Sequence, residues 1–138
     1  MKKTYLVLVL VIFLMGDAWA RDEQKIIVEE LARTSESWDK ETLPEYPEGV
    51  PEITVLRITV PPGASLPLHF HPVIKAGVLL EGELTVISEN NEVLTLKTGE
   101  AIIEVVDKWH YGRNNSETPA VIIVFYAGTK GGPITVTE

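Results

Sequence analysis

GASLPLHFHPVIKAGVLLEG, residues 63–82, contains two of the three histidines of the chain, His69 and His71. The third, His110, lies in the segment VVDKWHYGRN. In a β-strand, alternate side chains point to opposite faces, so His69 and His71 would share a face and Phe70 would point away. Two imidazoles on one face, with a third from a neighbouring strand, form one side of a metal site. The pair alone is equally typical of two histidines on a partly exposed strand.

The residues that frame the histidines have a regular spacing, which distinguishes this segment from an isolated pair. The first framework consists of Gly63, His69, His71, Lys75 and Gly82, separated by five, one, three and six residues. The second consists of Gly99, His110 and Asn114, separated by ten and three residues. This spacing resembles the two sequence motifs of the cupin superfamily, over about residues 52–136.

The resemblance implies a small jelly roll, in which the two motifs form facing strands. It also implies that His69, His71 and His110 bind a divalent metal, which would be Fe, Mn, Ni, Cu or Zn. All three histidines of the chain fall in the histidine positions of the motifs. Pairing of cupin barrels through their sheets further implies a homodimer.

One residue departs from the resemblance at a critical position, because Lys75 replaces the glutamate that usually serves as a further metal ligand. An ammonium group about 5 Å from a divalent ion would cost about 6–7 kcal/mol at an effective dielectric constant near 20. Lys75 would therefore pair with a glutamate, lose its proton, or mark a site without metal. Glu104 is the candidate partner, and it would either supply the missing carboxylate or form an ion pair at the rim.

Lys75, Glu104 and Tyr111 are the candidate catalytic residues. A protonated Lys75 would hold a carboxylate or enolate oxygen of a substrate, whereas a neutral Lys75 would act as a base. Tyr111 would donate its phenol to a ligand or pack at the rim. The predicted cavity is apolar, with Leu79, Ile102, Val106 and Phe125 in its lining, as is typical of a site for a small molecule.

The N-terminus predicts export of the protein. Residues 1–20 combine Lys2 and Lys3 with an apolar run and an A-x-A site, which is typical of a secretory signal peptide. We therefore expect a periplasmic or secreted protein without a membrane segment after cleavage. The chain has no cysteine, and its formal net charge of −8 argues against nucleic acid as a partner.

Residues 21–50 are predicted to form an N-terminal arm that precedes the barrel of residues 51–138. Residues 22–33 would form a short amphipathic helix, although their Ile-Ile-Val segment is equally typical of a strand. Residues 35–51 are rich in Ser, Pro and Gly and are predicted to be a loop. In this loop, Trp38 and Tyr46 would either cover the barrel or close a ligand pocket.

The remaining pattern predicts a single all-β domain with jelly-roll topology, the double-stranded β-helix. The run AVIIVFY at residues 120–126 favours a strand buried on both faces. The predicted strands span residues 52–60, 76–80, 84–88, 93–97, 101–106, 109–112, 120–126 and 134–137.

Three functions are consistent with these features. The first is a metal-dependent enzyme, a dioxygenase, isomerase or lyase, that acts on a small and preferably anionic organic ligand. The second is a protein that binds such a ligand, or the metal itself, without turnover. The third is a structural barrel with vestigial histidines. The jelly-roll fold is compatible with all three functions and does not distinguish between them.

Overall fold

The fold is described from a computed structural model, which covers residues 25–138. The part of the chain that it describes contains nine strands and no helix. The strands are β1 (Pro51–Val60), β2 (His69–Phe70), β3 (Ile74–Glu81), β4 (Glu83–Ser88), β5 (Val93–Lys97), β6 (Ala101–Ile103), β7 (His110–Arg113), β8 (Ala120–Thr129) and β9 (Val136–Thr137). Between residues 25 and 138, no helix is long and apolar enough to cross a membrane.

The strands form two antiparallel sheets that face each other, which confirms the predicted jelly roll. One sheet has the order β1-β8-β3-β6, and the other has the order β5-β4-β7-β2-β9. Sequential hairpins and crossovers between the sheets bring the two histidine-bearing strands, β2 and β7, together in the second sheet. The site therefore depends on a pairing between segments that lie about 40 residues apart in the sequence.

The core lies between the inner faces of the two sheets. Inward residues of β3 and β8, such as Leu79 and Val124, are fully buried, and Leu84 and Leu96 approach them from the second sheet. Burying each of these side chains contributes about 1.5–3 kcal/mol relative to exposure. The same inner face of β3 carries Lys75, which is only 9% exposed.

The N-terminal arm is irregular where a helix was one of the predicted alternatives. Residues 25–34 have no regular secondary structure, and the first residues of the predicted helix lie outside the described chain. Ile26, Ile27 and Val28 are each more than 85% exposed. A short helix is marginal without an apolar face to pack, which explains why no helix forms here.

The structure corrects two further predictions about apolar residues. β8 is not buried on both faces, because Phe125 points outward and is 44% exposed. In the arm, Trp38 packs against the core and its backbone N–H donates to the Ile103 carbonyl, as expected for a covering residue. Tyr46 is 76% exposed and does not cover the barrel.

A glycine turn fixes the hairpin between β3 and β4. Gly82 has a φ of +77°, a conformation that favours glycine, and a Cβ atom at this position would overlap the Pro119 carbonyl oxygen. Gly99 also has a positive φ, +88°, but it has open space around it. Backbone conformation therefore explains Gly82 and Gly99, as it does Gly63 with its φ of +71°, and close packing further explains Gly82.

Replacing Gly82 should destabilise the fold more than replacing Gly99. Both Gly→Ala variants incur about 1–2 kcal/mol for a left-handed backbone. Gly82→Ala must also push Pro119 away. We therefore expect its free energy of unfolding, measured with urea, to fall by at least about 1 kcal/mol more than that of Gly99→Ala. Equal losses for Gly82→Ala and Gly99→Ala would show that the contact with Pro119 does not constrain the turn.

Candidate metal centre

The fold brings the three histidines together inside the barrel. His69 on β2 lies directly opposite His110 on β7 in the antiparallel register, and His71 follows two residues after His69. The three side chains are 7%, 1% and 2% exposed for His69, His71 and His110. One nitrogen from each ring lies within 4.8 Å of the others. Phe70 points away, as the alternation of the strand requires, and its ring packs against Trp109.

Each imidazole is held by a hydrogen bond from Nδ1 to a backbone carbonyl. The distances are 2.7 Å from His69 to Pro67, 2.9 Å from His71 to Ile134 and 2.9 Å from His110 to Lys108. A carbonyl oxygen can only accept, so each Nδ1 carries the proton and each neutral ring has its lone pair on Nε2. This arrangement, in which one ring nitrogen is anchored and the other is free, is typical of metal-binding histidines.

Lys75 and Glu104 lie beside the histidines as cross-strand neighbours. The Glu104 N–H donates to the Lys75 carbonyl at 2.9 Å, which continues the register of β3 and β6 by one residue. Their side chains therefore share the inner face, where Lys75 Nζ lies 3.8 Å from Glu104 Oε2. Lys75 Nζ also donates to His71 Nε2 at 3.1 Å. Lys75 has thus paired with a glutamate without leaving the histidine cluster.

The contact between Glu104 and His110 tests whether these residues suit a metal. Glu104 Oε2 lies 3.4 Å from His110 Nε2, and that nitrogen is buried without a hydrogen-bond partner. When His110 carries a proton on Nδ1 alone, Nε2 and the carboxylate oxygen present lone pairs to each other. Such a pair is unfavourable unless a second proton on the ring or a metal cation lies between the two atoms. Three imidazole nitrogens and one carboxylate oxygen are a donor set that fits a divalent transition metal.

Burial also keeps the cluster in the form that binds metal. Burial and the nearby Lys75 ammonium lower the pKa of His71 from 6.5 to about 2. Burial likewise lowers the pKa of His69. Burial lowers the pKa of Lys75, although Glu104 opposes this effect. Neutral imidazoles are the ligand form, so the two perturbed histidines need not lose a proton before they coordinate an ion near neutral pH.

Two neighbouring cavities adjoin the cluster and share four lining residues. The inner cavity has a volume of about 30 Å³, and its polar lining comes from His69, Lys75, Glu104 and His110. It has room for roughly one ion or a few water molecules. The outer cavity has a volume of about 210 Å³. The residues that line both cavities, and so mark their junction, are Ile58, Leu66, His69 and Lys75.

Tyr111 does not reach the cluster. It follows His110 on β7 and therefore points to the opposite face of the sheet, where it is partly exposed. The phenol near the histidines is instead that of Tyr126, which sequence reasoning missed. Its ring centroid lies 5.6 Å from Lys75 Nζ and 5.3 Å from that of His71. Burial raises the pKa of Tyr126.

The predicted cavity lining is right for one of the four residues. Ile102 lines the inner cavity, whereas Phe125 points outward. Leu79 is fully buried in the core, and Val106 lines a separate groove beside the arm. The alternation of side chains along β8 decides the position of Phe125, and a continuous apolar run does not reveal which of its residues point inward.

An ion-pair cluster fastens the loop that connects Glu104 to His110. Lys108 Nζ lies 2.6 Å from Asp39 Oδ2 and 2.5 Å from Glu41 Oε1, both in the N-terminal arm. Burial opposes the charge of Asp39, but hydrogen bonds from Lys108 and Ser37 hold the pKa of this carboxyl below its usual value. The carbonyl of Lys108 anchors His110, so the arm helps to position one of the three imidazoles.

The comparisons with known proteins agree with this fold. Residues 56–126, just over half of the chain, match the family model of the cupin domain, Cupin_2. The fold and the buried histidines define a small jelly-roll protein with a candidate metal centre. The chain belongs to the Cupin_2 family. No curated protein shows significant sequence similarity to it.

Three solved structures illustrate the structural likeness. An oxalate oxidase in complex with the substrate analogue glycolate is 24% identical, with a TM-score of 0.52 over 62% of this chain and 45% of its own. The DMSP lyase DddQ from Ruegeria pomeroyi DSS-3 is 21% identical, with a TM-score of 0.55 over 62% of this chain and 43% of its own. Oxalate decarboxylase from Bacillus subtilis, which has Mn(II) centres, is 23% identical, with a TM-score of 0.51 over 62% of this chain and 23% of its own.

At these identities the likeness shows the fold alone. The chain also spans less than half the length of each of these three structures.

The lowered pKa of His71 predicts a pH dependence for the stability of the metal-free protein. The pKa of His71 is lower in the folded protein than the value of 6.5 expected for the unfolded chain. Acid therefore protonates the unfolded chain first and shifts the equilibrium towards unfolding. The stabilisation by the neutral ring is complete above pH 6.5 and is lost as the pH falls towards 2. We expect His71 to reduce the free energy of unfolding by about 2 kcal/mol between pH 6.5 and 5.

Urea unfolding at these two pH values, for the wild type and for His71→Gln, measures the effect. The wild type should lose about 2 kcal/mol more on acidification than the variant does. An equal loss in both proteins would mean that His71 is not held neutral by its surroundings.

Proposed function

We propose that this protein binds a divalent metal through His69, His71, His110 and Glu104 and acts at that metal on a small organic anion. The unpartnered His110 Nε2, which faces the Glu104 carboxylate across 3.4 Å, is the observation that carries the proposal. A metal between these atoms would satisfy both lone pairs at once. It would also use Nε2 of His69 and, once Lys75 leaves it, Nε2 of His71.

Glu104 would take over the role of the glutamate that Lys75 replaces. Glu104 directly follows β6 and is the cross-strand neighbour of Lys75 on β3, so its carboxylate can approach the same cavity as a carboxylate at position 75 would. Fe, Mn, Ni, Cu and Zn all accept a set of three imidazoles and one carboxylate. When bound, the metal would supply Lewis-acid or redox chemistry to an oxygen of the ligand.

The residues of the chain would carry out the other steps. The aliphatic walls of both cavities would exclude water from the ligand, and Lys75 would hold or protonate an anionic oxygen. Oxalate and glycolate, which are named for the oxalate oxidase structure, are small organic anions and are consistent with this ligand class. We propose a dioxygenase, isomerase or lyase reaction on this basis.

A second candidate function is non-catalytic binding of a small anion or a metal. It is supported by the hydrogen bond from Lys75 to His71 Nε2, which already occupies one of the atoms that a metal needs. If Lys75 holds this position permanently, the cavity would bind an anion without a metal. Metal titration distinguishes the two candidates.

The proposed location of the protein is outside the cytoplasm, and its proposed oligomeric state is a homodimer. Residues 1–20, which lie outside the described part of the chain, support export to the periplasm or beyond the cell. The metal would then be acquired outside the cytoplasm. A homodimer is supported by exposed apolar residues on one outer sheet surface, including Val55 and Phe125.

Removal of the proposed ligands should abolish or weaken metal binding. We expect the wild type to bind about one equivalent of Zn²⁺ or Mn²⁺ in isothermal titration calorimetry. The double variant His69→Ala and His71→Ala should bind none, and Glu104→Gln should bind at least about tenfold more weakly. Glu92→Gln, a change at an exposed carboxylate, is the matched control. Wild-type affinity in Glu104→Gln would exclude Glu104 as a ligand.

Removal of Lys75 should strengthen metal binding. Lys75→Met keeps an unbranched side chain that is one atom shorter, removes the donor to His71 Nε2 and removes a cation near the proposed metal. We expect Zn²⁺ affinity to rise at least about tenfold, which corresponds to about 1.4 kcal/mol. Lys97→Met removes an exposed lysine from β5 and should leave the affinity unchanged. If Lys75→Met binds Zn²⁺ no more tightly than the wild type, Lys75 does not compete with the metal.

A further inference from the structure

Lys75 is the only lysine or arginine among the four residues that line both the inner and the outer cavity. It lines both of them, whereas Glu104 and His110 line only the inner one and Tyr126 only the outer one. Its ammonium group reaches His71 Nε2 at 3.1 Å and Glu104 Oε2 at 3.8 Å. A modest rotation of this flexible side chain would therefore transfer the charge from one cavity to the other.

The two partners of Lys75 are also two of the proposed metal ligands. A metal that binds His71 Nε2 and Glu104 Oε2 removes both of the acceptors that now hold the ammonium group. It also repels the ammonium group as a like charge at short range. Metal binding would thus drive Lys75 out of the inner cavity and leave it without an anionic partner.

The outer cavity is suited to receive both the lysine and a ligand. Its volume of about 210 Å³ is below the range of drug-sized pockets, so it fits a molecule of few atoms. Leu56, Ile58, Leu66 and Pro67 give it an apolar wall. The ring of Tyr126 already lies 5.6 Å from Lys75 Nζ, which shows that the ammonium group is near this cavity.

The lining also defines the chemistry of the ligand. One ammonium group matches one anionic group, and the lining of the outer cavity contains no second Lys or Arg to pair with another carboxylate. A small monocarboxylate with a short apolar body satisfies both parts of the cavity. Oxalate, which consists of two joined carboxylates, has no apolar part to place against Leu56 and Leu66.

We propose that the outer cavity binds a small organic monoanion through Lys75, and that metal binding in the inner cavity releases Lys75 for this role. The proposal deepens the proposed function and rests on it. Metal and anion would bind cooperatively, because each favours the outward position of Lys75. By linkage, the anion must raise the metal affinity by the same factor as the metal raises the anion affinity.

The test uses Zn²⁺ as the metal and isobutyrate as the monoanion, with the chain from residue 21 onward. Ligand-observed NMR and calorimetry would measure the isobutyrate affinity of the metal-free and of the Zn²⁺-loaded protein. We expect at least tenfold tighter binding to the loaded form. The neutral isostere isobutyramide should show little difference between the two forms, and oxalate should bind the loaded form more weakly than isobutyrate.

Two variants separate the parts of the proposal. Lys75→Met should bind Zn²⁺ but lose at least tenfold in isobutyrate affinity. Leu56→Asp changes a partly exposed residue that lines only the outer cavity, so it should weaken isobutyrate binding and leave Zn²⁺ binding unchanged. Leu56→Asn, which adds no charge, is its control and should weaken isobutyrate binding less.

Four results would overturn the proposal. Equal isobutyrate affinity with and without Zn²⁺ would exclude the coupling. Unchanged affinity in the loaded Lys75→Met variant would mean that the metal alone holds the anion. Tighter binding of oxalate than of isobutyrate, or no isobutyrate binding by the loaded protein, would exclude the ligand class. A failure to bind Zn²⁺ at all would refute the proposed function itself, and the Zn²⁺ titration without ligand reveals that failure separately.

Discussion

The need to satisfy buried imidazole nitrogens governs the centre of this protein. Three backbone carbonyls fix the Nδ1 atoms of His69, His71 and His110, and so the three Nε2 lone pairs converge inside the barrel. An apolar interior offers no water to these lone pairs, and their convergence is costly unless a cation joins them. Lys75 meets this need at His71 alone, and His110 Nε2 remains without a partner. A divalent ion would satisfy all three nitrogens and the Glu104 carboxylate together.

Much of the fold could be predicted because local chemistry encoded it. Strand β5 has the predicted bounds, and β1, β3, β4 and β7 differ from them by only a few residues, because alternating β-branched residues end at glycine or polar turns. Positive φ values at Gly63, Gly82 and Gly99 explain three of the framework positions. The convergence of the histidines followed from the alternation along β2 and from the resemblance to cupins. The domain boundaries proposed for the signal peptide and the barrel remain predictions.

The rest depended on the three-dimensional arrangement, which single residues do not reveal. The run AVIIVFY contains no polar residue that marks its outer face, so Phe125 was wrongly assigned to the cavity and Tyr126 was missed. The helix alternative for the arm was wrong, and Ile26, Ile27 and Val28 remain exposed instead of packing against the barrel. The ion pair between Lys108 and Asp39 joins segments that are 69 residues apart, and it involves residue types that are common on surfaces. Lys75 and Glu104 could be paired as candidates, but only the sheet register makes them neighbours.

Elemental analysis tests the central claim most directly. The protein, expressed with its N-terminal segment and isolated from the periplasm without chelators or nickel resin, would be analysed by mass spectrometry for Fe, Mn, Ni, Cu and Zn. We predict close to one equivalent of a single divalent metal per chain, which is absent when His69 and His71 are both replaced by alanine. Protein that contains no metal and also fails to take up added metal would contradict the account. In that case Lys75 would have replaced the ion, and the cavity would be an anion site only.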